Sequence, residues 1–229
     1  MVGESDGRSD RQQLPDEVAA YVRELIFSGT VRPGEYLRLE PIADAVGVSN
    51  TPVREGLLRL RSEGFVRLVP RRGFAVERFG PEDVHDLFWA QAKLAGELAA
   101  RAAKRITPEQ LTALEETHER YEKSIALDDE EGVAKFGHSF HRQINLAADS
   151  HRLALLLASI VQHLPNKFYG SIERASATSG HGHPAILDAI RTRNGRLARR
   201  LIEEHIQERS EHLVELLREQ GLWDEARID

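Results

Sequence analysis

The chain has 229 residues, 41% apolar and 30% charged, with a net charge of −6. That is the composition of a folded globular protein, not of a disordered or fibrous one. It has no cysteine, which excludes disulfides, thiolate metal sites and cysteine nucleophiles and fits a reducing cytoplasm. No apolar run approaches the length of a membrane span, and the polar opening MVGESDGRSDRQQ does not read as a signal peptide. The acidic balance argues against a general nucleic-acid coat but leaves room for a compact basic patch.

Residues 1–13 read as a flexible polar tail. From Leu14 the apolar residues Val18, Tyr21, Val22, Leu25 and Ile26 recur at helical spacing, with Pro15 and Asp16 at the start. SGTVRPGEYL is a turn-rich break. EPIADAVGV predicts a short helix ended by Gly47. A third helix begins near Ser49, where Ser49 or Thr51 can cap it and Pro52 falls in the first turn. The runs GFVRLV and GFAVERF, joined by PRR, predict a small β-hairpin. Gly80 and Pro81 mark a boundary. Beyond it, amphipathic patterns predict helices over about 81–104, 107–128, 130–148, 150–178, 184–193 and 195–220, and no strand. The fold class is therefore mostly α. A winged helix-turn-helix over 14–78 is followed by an all-α bundle over 79–229.

Charge distribution gives this arrangement a purpose. Seven arginines and three acids lie between Asn50 and Arg78, whereas the first forty-nine residues hold five arginines and nine acids. Val53, Leu57 and Leu60 form the buried stripe of the third helix, and Asn50, Arg54 and Arg61 lie in an arc beside it. The first residues of a recognition helix reach base edges in the major groove. Arginine there bridges guanine O6 and N7, and asparagine bridges adenine N6 and N7. Arg71 and Arg72 at the hairpin tip suit phosphate or a minor groove, and Gly73 allows close approach. Many short patterns of this kind are only packed helices, and a lone arginine is usually a solvated charge. Here the cap, the proline, the stripe, the basic arc and the basic tip agree.

These residues carry a resemblance. VRPGEYL followed by IADAVGVSNTPVREGLLRLRSEGFVRLVPRRGFAV resembles the DNA-binding domain of the GntR family of transcriptional regulators. The usual pattern there is VSRTPVREAL.RL..EGLV...PRRG..V. Ser49, Thr51 and Arg54 match positions that contact DNA in that family. Asn50 stands where arginine is usual, and Gly56 where alanine is usual. The helical remainder is similar to the ligand domain of the FadR branch, the FCD type, in FHRQINLAADSHRL and HPAILDAIRTRNGRLARRLIEEHI. In many such domains an aspartate and three histidines hold a metal. The resemblance places those histidines at His141, His183 and His205, but puts Gly137 where the aspartate belongs. It also puts Gln91 where an arginine often helps hold a carboxylate effector.

On the residues alone, most of the ten histidines are expected to be solvated or capping, and only tertiary structure can join His141, His183 and His205. With the resemblance, three imidazoles plus water or an effector oxygen complete a zinc or nickel shell. His138, one turn from His141, can replace the missing carboxylate. The other outcome is a domain that has lost its metal and uses the histidines to hydrogen-bond an anion. The expected function is a cytoplasmic, homodimeric repressor that binds double-stranded DNA and answers to a small carboxylate, not an enzyme and with no membrane contact. Its effector residues would be Gln91, His141, His183 and His205. The alternatives are a constitutive DNA-binding dimer, or a metal-dependent enzyme, for which no positioned general base stands beside the histidines.

Overall fold

The computed structural model describes residues 6–163, 172 and 182–223. It divides into two compact units, one formed by Met1–Gly80 with Leu216–Asp229 and the other by Pro81–Glu215. The bundle expected over 79–229 thus gives up its last residues, from Leu216, to the first unit.

The first unit contains α1 (Asp6–Phe27), β1 (Tyr36–Leu37), α2 (Leu39–Val46), α3 (Asn50–Ser62), β2 (Val66–Val69) and β3 (Gly73–Val76). The helix α1 begins at Asp6 and carries Pro15 in its interior. The sequence had suggested a tail through residue 13. Residues 8–13 are polar and have no apolar stripe, so periodicity cannot reveal them as helix. Gly47 ends α2 in the left-handed conformation, at φ 75°. Ser49 is the N-cap of α3, but its side chain makes no capping hydrogen bond, contrary to expectation. The stripe is as expected: Val53, Leu57 and Leu60 are fully buried. Arg23 of α1 donates to Glu63 at the end of α3, at 2.5 Å, and so fixes the helix from behind.

The expected hairpin is present, with Val66 opposite Val76 and Val69 opposite Gly73. It gains a third antiparallel strand, and the sheet order is β1-β3-β2. The added strand pairs Tyr36 with Ala75 and Leu37 with Phe74. Two residues are too few to show an alternating pattern, so the segment reads as turn in the sequence. Phe27, Phe65 and Phe79 pack ring on ring, and Trp223 donates its Nε1–H to the Phe79 carbonyl at 2.7 Å.

The second unit is helical among its described residues. It comprises α4 (Pro81–Arg105), α5 (Pro108–Ala126), α6 (Glu130–Ala147), α7 (His151–Val161), α8 (His183–Arg191) and α9 (Gly195–Glu219) as far as Glu215. Thr107 and Gln110 form a capping box that starts α5. Asp129 caps α6 by accepting from Gly132 N. The helix expected over 150–178 stops at Val161, and 164–171 and 173–178 of that range lie outside the described residues. Small residues line α4 where α9 approaches. A Cβ on Gly96 would meet Glu203 Cγ at 2.7 Å.

Candidate functional site

The first candidate surface lies on the winged helix. Ser49, Asn50, Thr51 and Arg54 are all exposed at the N-terminal end of α3, and Arg61 is exposed two turns on. The helix therefore buries its apolar stripe and leaves the polar arc open. Arg59 is not available in the same way, because it pairs with Asp16 of α1. At the hairpin tip Arg71 adopts φ 64° and Gly73 φ 94°, so the tip is a tight left-handed turn. Arg71 and Arg72 are both exposed there.

Sequence reasoning missed Tyr36. Its register opposite Ala75 on the neighbouring strand brings it to the wing. Arg72 Nη1 donates to the Tyr36 hydroxyl at 3.3 Å, and the guanidinium carbon lies 5.9 Å from the ring centre. One tip arginine is thereby held in place on an aromatic surface. Nothing in the local sequence marks this, since only strand pairing joins residues so far apart.

The second candidate site is in the helical unit. His141 comes from α6, His183 opens α8 and His205 lies on α9. One ring nitrogen from each lies within 4.8 Å of the others. His183 Nε2 is 3.2 Å from His141 Nε2. His183 is 2% exposed and His205 1%, whereas His141 is only partly covered. His138 is not part of this cluster. It lies one turn before His141, and Gly137 beside it offers no side chain.

A cavity of about 420 Å³ adjoins the cluster. Gln91, His138 and His141 line it, but His183 and His205 do not. Those two histidines stand behind His141 and outside the cavity wall. Gln91 is 8% exposed, and its Oε1 has no hydrogen-bond partner. Arg209 also lines the cavity. It is 3% exposed and its Nη1 lies 3.4 Å from His141 Nε2. A lone arginine in an arginine-rich helix reads as a surface charge. The available signal was its spacing of four from His205, which puts both on one helix face.

The electrostatics follow from burial. Desolvation holds His183 well below its ordinary pKa, and His141, His205 and His118 push it further. Desolvation does the same to His141, followed by the Arg209 charge and then by His205 and His138. Both imidazoles are neutral near neutral pH. A guanidinium only donates, so the nitrogen of His141 that faces Arg209 is an acceptor. Neutral imidazoles with converging nitrogens can hold a divalent metal, and this donor set suits one. Gly137 supplies no carboxylate, so the three histidines alone make a neutral shell.

Both units of the chain match known protein families. Residues 14–76 match the bacterial regulatory proteins of the gntR family, and residues 86–208 match the FCD domain. The chain is 25% identical over 202 residues to the HTH-type transcriptional regulator YdhC of Bacillus subtilis, covering 86% of this chain and 90% of that protein. It is 23% identical over 214 residues to the HTH-type transcriptional repressor RspR of Escherichia coli, covering 93% and 94%. The solved structure of E. coli McbR/YncC superposes with a TM-score of 0.65 at 22% identity, over 91% of this chain and 98% of that one. These relatives are transcriptional regulators and not enzymes. A winged helix with an open basic arc, joined to a helical unit of the FCD kind, makes this chain a DNA-binding transcriptional regulator of the gntR family.

Proposed function

We propose that the protein is a repressor that binds a near-palindromic operator as a homodimer and answers to a small carboxylate held in its helical unit. The observation that carries the effector half is the meeting of His141 with a cavity of about 420 Å³. A pocket of that volume suits a small molecule. The base-reading residues are Ser49, Asn50, Thr51 and Arg54, and Arg71, Arg72 and Gly73 follow the backbone. The repressor reading is supported by the likeness to RspR. No helix among the described residues is long and apolar enough to cross a membrane, which is consistent with action in the cytoplasm.

The effector site is Gln91 and His141 at the cavity, with His183 and His205 behind them. Zinc or nickel at the three histidines would act as a Lewis acid toward an effector oxygen. Without metal, the same imidazoles hydrogen-bond an anion. Either way the effector changes operator affinity only by its differential affinity for two arrangements of the dimer, commonly about 1–3 kcal/mol. A mobility-shift titration with DNA flanking the protein's own gene tests the reading. A retarded band that weakens with a carboxylate supports it. No sequence-selective band at any protein concentration would overturn it.

A further inference from the structure

We propose that Tyr36 is itself a DNA-contacting residue of the wing, and that its hydroxyl and the Arg72 guanidinium together hold one backbone phosphate. The inference rests on DNA binding by the winged helix, and on neither the effector nor the operator sequence. Tyr36 lies on β1, outside both the recognition helix and the hairpin. It is 41% exposed, whereas Leu37 beside it is buried, so the strand turns Leu37 inward and Tyr36 outward. The backbone stays extended at Arg38, with φ −89° and ψ 130°. That puts Arg38, also exposed, on the same side as Tyr36. Other arginines of this unit are already neutralised, Arg59 by Asp16 and Arg67 by Glu77. Among the described residues no carboxylate pairs with Arg38 or Arg72. The surface around Tyr36 is therefore positive.

The hydrogen bond between the two side chains has a fixed direction. A guanidinium only donates, so the 3.3 Å bond runs from Arg72 Nη1 to the Tyr36 oxygen. The proton of the hydroxyl then points elsewhere, and among the described residues it meets no acceptor. A hydroxyl that accepts from a cation is polarised and donates more strongly. Arg72 spends one of its five donors on this bond and keeps the rest. Its main chain is also fixed, because its N–H donates to the Val69 carbonyl at 3.0 Å. An O–H and several N–H donors thus stand side by side on a braced, positive surface. They fit an anion with several oxygens, and the anion a winged helix meets is the phosphate of the duplex. Such a contact carries no base information, so it adds affinity for every sequence alike.

The test is fluorescence anisotropy of the full chain on a duplex of scrambled sequence at low salt. Tyr36→Phe keeps the ring and removes only the hydroxyl. We expect it to weaken binding by about 3- to 10-fold, the range for one exposed hydrogen bond. Arg72→Ala should weaken it further and reduce the salt slope by about 0.9; Arg72→Gln serves if that variant melts early. The double variant decides between two roles for the hydroxyl. If the hydroxyl touches phosphate, Tyr36→Phe still costs affinity when Arg72 is already alanine. If that cost vanishes, Tyr36 only positions Arg72 and the contact is overturned. Ethylation interference on DNA flanking the protein's own gene reads the shared site directly. A phosphate whose ethylation hinders the parent should lose its effect in the double variant, and an unchanged pattern overturns the site. Equal binding by the parent and Tyr36→Phe overturns the whole proposal. A loss confined to the flanking DNA, with the scrambled duplex unaffected, overturns the phosphate in favour of a base. A parent that binds neither duplex overturns DNA binding by the winged helix itself.

Discussion

Gly56 of α3 and Val18 of α1 approach so closely that no methyl group fits between them. A Cβ at Gly56 would stand 2.8 Å from Val18 Cγ1 and 2.8 Å from the carbonyl oxygen of Pro15. One of those neighbours is backbone and cannot rotate away. We expect Gly56→Ala to destabilise the first unit, although alanine is the better helix former. Overpacking costs about 1–3 kcal/mol, against about 1 kcal/mol recovered in helix propensity. Each net 1 kcal/mol lowers the melting temperature of a unit this size by roughly 4–8 °C. Calorimetry reads it directly. A melting temperature that rises would mean that α1 moves aside at no cost.

The arc on α3 predicts a division of labour. Arg54 is exposed and lies off the buried stripe, so Arg54→Ala should leave the fold intact. It should weaken the operator by about 1–3 kcal/mol and relax specificity there. Arg71→Ala should instead weaken all duplexes alike and flatten the dependence on salt. Tyr36→Phe removes the hydroxyl that receives Arg72. It should act as a milder version of the Arg71 change. Fluorescence anisotropy at several salt concentrations, on operator and on scrambled DNA, separates the three. An operator affinity unchanged by Arg54→Ala would move base reading away from this end of α3.

Most of the winged helix was legible because its signals are local. The stripe Val53, Leu57 and Leu60, the stop at Gly47 and the hairpin from Val66 to Val76 all follow from neighbours in sequence. Residues 8–13 were not legible as helix, because a polar helix end has no apolar period. The two-residue strand at Tyr36 was hidden for want of length, and with it the support for Arg72. In the second unit the three histidines were assignable only through the resemblance, since three different helices bring them together. Gly56 stood out as a departure, but its reason is the position of α1. Arg209 carried only the weak signal of its spacing of four from His205. Its burial beside His141 depends on tertiary packing, and sequence charge alone places it in solvent.

Trp89 is 57% exposed on α4, and Leu155 and Leu156 are exposed on α7, which packs against α4. Large apolar side chains left open on adjoining helices suit a subunit interface. If the proposed homodimer forms through this face, Trp89→Glu should shift it toward monomer at micromolar concentration, with little change in melting of the isolated subunit. Sedimentation velocity checks this. A variant that remains fully dimeric would place the interface on another face.

The histidine cluster predicts how stability depends on pH. In the folded chain His141 and His183 have pKa values well below the ordinary 6.5, chiefly through desolvation. In the unfolded chain both titrate near 6.5. Below that pH the unfolded chain therefore binds more protons than the folded one. Stability must then rise with pH through this window and is complete above it. As pH falls from about 6.5 toward 5, each histidine removes up to about 1.4 kcal/mol per unit, before most carboxylates titrate. Denaturant melts of chelated protein across that range should show the fall, and His183→Asn should make it shallower. Zinc adds a second expectation, because a metal takes only deprotonated imidazole. Added zinc should raise the melting temperature at pH 7.5 and much less at pH 5.5. A pH-independent shift would mean binding outside the cluster. No shift at either pH would leave the cluster as a metal-free anion site.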